Sequence, residues 1–277
     1  MLGPVASTST FSHQLPSAMP QRPYVLAETT WKTVRDTDYE VAVLPWGSTE
    51  AHNYHLPYAT DTLQCDYIAA ESARRAWETG TRSLVLPTIP FGVNTGHLDL
   101  TGTINMHAST QAAVLHDVVS SLTRQGLHKI VVLNGHGGND FAPLIREVQN
   151  DVDDAFLCAA RWFEIGNQSE YFTEPGDHAG EMETSVMLHV APDLVQSLAE
   201  AGEGRARTFR IEALREDWAW AEREWPRVTD DTGVGNPADA GAAKGKAYLD
   251  RVTTAIAALL RDLAAADRED LYTALDD

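Results

Sequence analysis

Two hydrophobic periods take turns along the first 160 residues of the chain. Short apolar runs recur at 40–45 (Glu-Val-Ala-Val-Leu-Pro), 82–86, 129–133 (Lys-Ile-Val-Val-Leu) and 155–160. Runs this short and this apolar predict strands buried on both faces. Between them, apolar residues recur at helical spacing. Val114, Val118 and Leu122 mark a helix over 110–125. Leu63, Tyr67, Ala70 and Trp77 mark another over 61–79, although Arg74 interrupts its stripe. Further helices are expected over 27–35, with Thr29 or Thr30 as cap, and over 140–150 and 186–190. Strands alternating with helices imply an α/β fold with a mostly parallel sheet covered by helices. In such folds, sites form at the carboxyl ends of the strands. The polar loops after Pro45, Pro87 and Leu133 lie at those ends.

The pattern changes beyond Pro192. Residues 205–224 are charged, with Trp218 and Trp220 among acids and arginines and Trp225 just beyond. A turn-rich stretch over 226–237 leads to an alanine-rich region, 238–266, read as helix in one piece or broken. At the other end, residues 1–24 have neither the basic region nor the apolar run of a secretory signal, and read as a flexible arm. Residues 25–277 read as a single domain.

Composition narrows the partners. The net charge of -19 disfavours nucleic-acid phosphates and anionic membranes and suits a small-molecule substrate. No apolar run approaches the ~20 residues of a membrane span. Two cysteines, Cys65 and Cys158, exclude a disulfide scaffold or a Cys-rich zinc site and suit a reducing cytoplasm.

Chemistry-bearing residues fall in four places. Gly47-Ser48-Thr49-Glu50-Ala51-His52, followed by Asp61, offers two carboxylates and an imidazole after a strand. Such sets suit Zn²⁺ or Mn²⁺, and one carboxylate can bridge two ions. Asn134-Gly135-His136-Gly137-Gly138-Asn139 puts a histidine in a tight turn at a strand end. It lacks the Lys-Ser/Thr of a phosphate loop. Asp177-His178-Ala179-Gly180-Glu181-Met182-Glu183-Thr184-Ser185 enters an apolar helix. Glu181 and Glu183, two residues apart, cannot face the same way on that helix. The stretch from Phe91 to Thr103 holds Asn94, Thr95 and His97, donors and acceptors for a small polar substrate. Each cluster alone could be an ordinary turn or solvated loop, but their joint occurrence on four loops is not accidental.

Together these segments resemble the creatininase (creatinine amidohydrolase) family. The resemblance rests on Gly47-Ser48-Thr49-Glu50, His52, Thr60-Asp61, Gly102-Thr103, Asn134 to Asn139 and His178 to Ser185. It implies a three-layer α/β/α fold and a centre of two divalent ions, Zn²⁺ or Mn²⁺ with Fe²⁺ as a further option. By position it implies that Glu50 and His136 hold one ion, that His52 holds the other, and that Asp61 bridges them. Creatininase has a glutamate where this chain has Gly138; relatives with the Gly-His-Gly-Gly-Asn form draw that ligand from the later Glu-Thr-Ser motif, so the resemblance implies Glu183 as the fifth ligand, with Glu181 as the alternative. His178 matches a proton-shuttling residue, and Glu181 is expected to orient it. Gly137 stands where creatininase has a tyrosine tied to its substrate, which leaves the substrate open among cyclic amides, formamides, cyclic diketones and peptides. The family further implies a homo-oligomer, a hexamer built as a trimer of dimers.

Overall fold

The computed structural model describes residues 22–273. Four parallel strands form its sheet: β1 (Val41–Trp46), β2 (Ser83–Val85), β3 (Lys129–Asn134) and β4 (Phe156–Arg161). Eight helices accompany them: α1 (Trp31–Arg35), α2 (Thr60–Glu78), α3 (Ala108–Arg124), α4 (Phe141–Asp151), α5 (Glu181–Val190), α6 (Glu212–Arg215), α7 (Trp225–Val228) and α8 (Ala242–Ala265). Gly80 and Gly126 end α2 and α3 with φ of 101° and 87°, a region in which glycine has no steric penalty.

Side chains alternate across a strand, so each strand feeds two cores. Val41 and Val43 of β1, with Val131 and Leu133 of β3, pack on α2, α5 and α8 through Ile68, Val186 and Val252. Ala42, Leu44 and Trp46, with Ile130 and Val132, pack on α3 and α4 through Leu115, Val119, Phe141 and Leu144. Both faces being apolar explains why β1 and β3 read as unbroken hydrophobic runs. The result is the expected three-layer α/β/α arrangement.

The strand order is β2-β1-β3-β4. The chain leaves β1 in one direction to reach β2, then crosses back over α3 to place β3 on the other side of β1. The reversal opens a crevice between the carboxyl ends of β1 and β3, where open α/β sheets place ligands.

Several expectations are adjusted. The helix expected over 27–35 is a 3-10 turn, Leu26–Glu28, followed by α1, whose cap is Thr30 accepting from the Thr33 amide. Helix α5 starts at Glu181, five residues before the predicted start, because Gly180 provides its N-cap. Helix α8 is unbroken over 24 residues. Tyr24, assigned to the arm, is buried, accepts from the Val85 amide and packs its ring 6.0 Å from Trp77. The rest of the arm, up to residue 21, lies outside the described residues.

Candidate metal centre

The loop after β1 turns directly onto α2. A Cβ at Gly47 would lie 2.6 Å from the Thr62 amide, so only glycine allows this approach. Asn53 takes φ of 54°, a left-handed conformation that asparagine tolerates better than other non-glycine residues. Its Oδ1 accepts from the Gly202 amide at 2.8 Å and ties the loop to a distant segment. Asp61 sits in the first turn of α2, where the helix dipole favours a carboxylate.

Glu50, His52, Asp61, His136, His178 and Glu183 come together, all buried. Asp61 directs its two oxygens to two imidazoles: Oδ1 lies 3.1 Å from His52 Nε2, Oδ2 lies 3.2 Å from His136 Nδ1. Glu50 Oε1 lies 2.8 Å from the same His136 nitrogen. The backbone fixes the other nitrogen of each ring. His52 Nδ1–H donates to the Glu50 carbonyl at 3.1 Å, and His136 Nε2–H donates to the Val93 carbonyl at 2.9 Å. His178 Nε2–H donates to the Ala51 carbonyl at 2.7 Å. Three imidazoles therefore aim their other ring nitrogen inward, the orientation that metal-binding histidines take when a carbonyl holds one N–H.

The donor set fits divalent ions on further grounds. Potential ligand atoms of Glu50, His52 and Asp61, and of His52, His178 and Glu183, lie within 4.8 Å of one another. Glu50 Oε2 and Asp61 Oδ2 are buried and accept no hydrogen bond. Among the described residues, the ion-pair partners of Glu50 and Asp61 are all histidines. Buried carboxylates without Lys or Arg call for another source of positive charge.

Position 138 cannot supply a ligand on this backbone. A Cβ there would stand 2.3 Å from the Val93 carbonyl oxygen and 2.5 Å from His136 Nε2. Glu183, on the first turn of α5, reaches the cluster instead, with Oε2 accepting from the Ala179 amide.

Glu181 departs from expectation. Its carboxylate accepts from the Thr173 and Glu174 amides, each at 2.8 Å, and pairs with Lys244 of α8. Two positions along the helix from Glu183, it faces away from the cluster, and the Ala51 carbonyl orients His178 in its place. Asn94 is buried beside the site, with Nδ2 donating to Ser48 Oγ at 2.7 Å and Oδ1 left without a partner. Thr95 is exposed, outside the cluster. His97 is buried, its Nε2 3.3 Å from Glu50 Oε2. Gly137 is exposed, and a Cβ there would meet nothing within 4 Å. Trp225, to which the sequence assigned no role, stacks on His97 with ring centroids 4.2 Å apart and meets His178 edge-on at 5.2 Å. Nothing local in the sequence links it to a loop so far away in the chain.

The model of the creatininase (creatinine amidohydrolase) family matches residues 27–260. The chain belongs to the creatininase family. Its members are metal-dependent amidohydrolases. A mycofactocin precursor peptide peptidase from Mycobacterium ulcerans is 30% identical over 212 residues, 74% of this chain and 78% of that protein. A creatinine amidohydrolase candidate from Bacteroides fragilis superposes with a TM-score of 0.86 at 43% identity, over 91% of this chain and 99% of that one. A creatininase structure with manganese superposes with a TM-score of 0.75 at 21% identity, over 88% of this chain and 99% of that one, a likeness of fold.

In this creatininase-family chain, the electrostatics follow from packing acids together. Burial pushes the Glu183 carboxyl up to about 7; Asp61 and Glu50 add to the rise and His52 opposes it. Burial disfavours charge on His52, but Asp61, Glu183 and Glu50 outweigh it and raise its pKa to about 10. For His136, burial is likewise outweighed by Glu50 and Asp61, and its pKa rises well above the ordinary value. The cluster thus gathers protons where cations would sit.

Proposed function

We propose that this protein is a two-metal amidohydrolase that cleaves the C–N bond of a small amide. The convergence of buried Glu50, Asp61 and Glu183 on inward-facing His52 and His136, with no Lys or Arg partner among the described residues, carries the reading. Glu50 and His136 would hold one ion, His52 and Glu183 the other, and Asp61, with one oxygen toward each imidazole, would bridge them. Zn²⁺ or Mn²⁺ suits these nitrogen and oxygen donors. Bound ions supply an acidified water and a polarised carbonyl.

The chain's own residues complete the chemistry. His178 holds its Nε2–H on the Ala51 carbonyl, which leaves Nδ1, on the cluster side 3.9 Å from Glu50 Oε1, to take a proton from the attacking water and deliver it to the leaving nitrogen. Asn94 Oδ1, unpartnered beside the cluster, accepts a substrate N–H. Burial of the whole set excludes bulk water.

The open space at Gly137 supports a substrate extending past the scissile amide. The mycobacterial relatives favour a peptide amide, and the Bacteroides relative favours a cyclic amide such as creatinine. The proposal extends to a cytoplasmic homo-oligomer, a trimer of dimers, which sedimentation would show as a sixfold mass. The first experiment is hydrolysis of creatinine and of a short-peptide panel by Zn²⁺- or Mn²⁺-loaded protein, with Asp61→Ala as blank. Turnover of either class that vanishes in the blank supports the reading. If the protein binds two ions yet cleaves neither these nor formamides and cyclic diketones, a non-catalytic binding role takes its place.

A further inference from the structure

Beside the ligands runs a stack that the proposed reaction leaves without a task. Arg223 lies 4.4 Å over the Trp225 ring and pairs with Asp177 at 2.9 Å. Trp225 is fixed by its Nε1–H donating to the Thr232 carbonyl at 3.0 Å. Its ring stacks on His97 at 4.2 Å with an interplanar angle of 32°. The two segments are interlocked: a Cβ at Gly96 would stand 2.1 Å from the Arg223 carbonyl oxygen. The stack ends where His97 Nε2 faces Glu50 Oε2 at 3.3 Å. Both atoms are buried, and neither makes a hydrogen bond, the 3.3 Å approach between them included. A buried N–H and a buried carboxylate oxygen left unpaired both destabilise the fold, and at 3.3 Å each is within reach of the other.

We propose that His97, held by Trp225, is a positioning residue for the metal centre: its Nε2–H fixes Glu50 Oε2 and so turns Oε1 toward the ions. The proposal rests on the two-metal reading. Outer partners of this kind change metal affinity by about 10–100-fold when removed. Trp225 acts through the imidazole, since a stacked ring limits where Nε2 points.

The test is Zn²⁺ affinity of the metal-stripped full chain, measured by competition with a chromophoric chelator. His97→Ala should bind Zn²⁺ about 10–100-fold more weakly. His97→Gln, which restores an N–H near the Nε2 position, should stay close to the parent. Trp225→Ala should weaken binding too, and should add nothing to His97→Ala in the double variant, because both act through one ring. If His97→Ala does not fold, His97→Met against His97→Gln repeats the comparison at matched size. Unchanged affinity in the variants lacking the N–H overturns the proposal. So does equal weakness in His97→Gln, which would make His97 an ion ligand. Failure of the unaltered protein to bind Zn²⁺ at all would instead overturn the metal reading itself.

Discussion

At the residue scale, the site depends on which oxygen or nitrogen of each side chain is committed elsewhere. Asp61 is the one carboxylate placed between His52 and His136. Asp61→Ala should therefore remove both ions and nearly all turnover, and full metal content by elemental analysis would refute its bridging role. His178 differs in its proposed task, which is proton transfer. His178→Gln should lower kcat by about 10²–10⁴-fold with metal content intact; loss of metal would make it a ligand. His55 provides a stability test. Its Nε2 meets Thr184 Oγ1 at 2.8 Å, and burial, then the charge of His52, lowers its pKa from 6.5 to about 4. The folded state thus resists protonation that the unfolded state accepts below 6.5. Stability is fully present above that pH and falls as pH drops toward 4. Acid denaturation curves of His55→Gln should be flatter across this window; an unchanged slope would remove His55 as the cause.

At the element scale, close approaches decide the packing. Helices α5 and α8 touch where Gly245 faces α5, and a Cβ there would stand 1.9 Å from the Ser185 carbonyl oxygen. Gly245→Ala gains about 1 kcal/mol of helix propensity. It also forces the helices apart at an overpacking cost of about 1–3 kcal/mol, and more against backbone. The clash should win, with a lower Tm in thermal melts and weaker metal binding, since Glu183 rides on α5. A higher Tm would show that the helices separate freely. The same contact explains why α8 runs unbroken through a glycine: the residue is there for proximity, and its neighbours supply the helical stripe.

At the scale of the whole molecule, the ions and the fold are linked. Each ion would bind only the assembled cluster, so loading stabilises the folded state by mass action, by about 4 kcal/mol at a thousandfold excess over Kd. Chelation should lower Tm, and re-addition of Zn²⁺ or Mn²⁺ should restore it. Because Glu183 and His52 carry raised pKa values near 7 and 10, loading at neutral pH should release protons, and affinity should weaken as pH falls. Calorimetry in buffers of different ionisation enthalpy would detect the release; its absence would mean that the ligands are already deprotonated. Among the described residues no helix is long and apolar enough to cross a membrane.

The sequence by itself determined the strands, most helices and the loops that bear the proposed ligands. Apolar runs and helical stripes are local patterns, and the glycine turn around His136 is written in consecutive residues. It also carried the family, through motifs specific in their order and spacing. The fold decided the rest, because it depends on contacts between segments far apart in the chain. Glu181 and Glu183 look alike as first-turn acids. Only the packing of α5 against α8 and α2 turns one to Lys244 and the other to the cluster. Ala51 and Val93 act through carbonyls, which no side-chain pattern records. Trp225 reaches His97 because the segment before α7 locks against Gly96, a proximity that periodicity along one chain cannot encode.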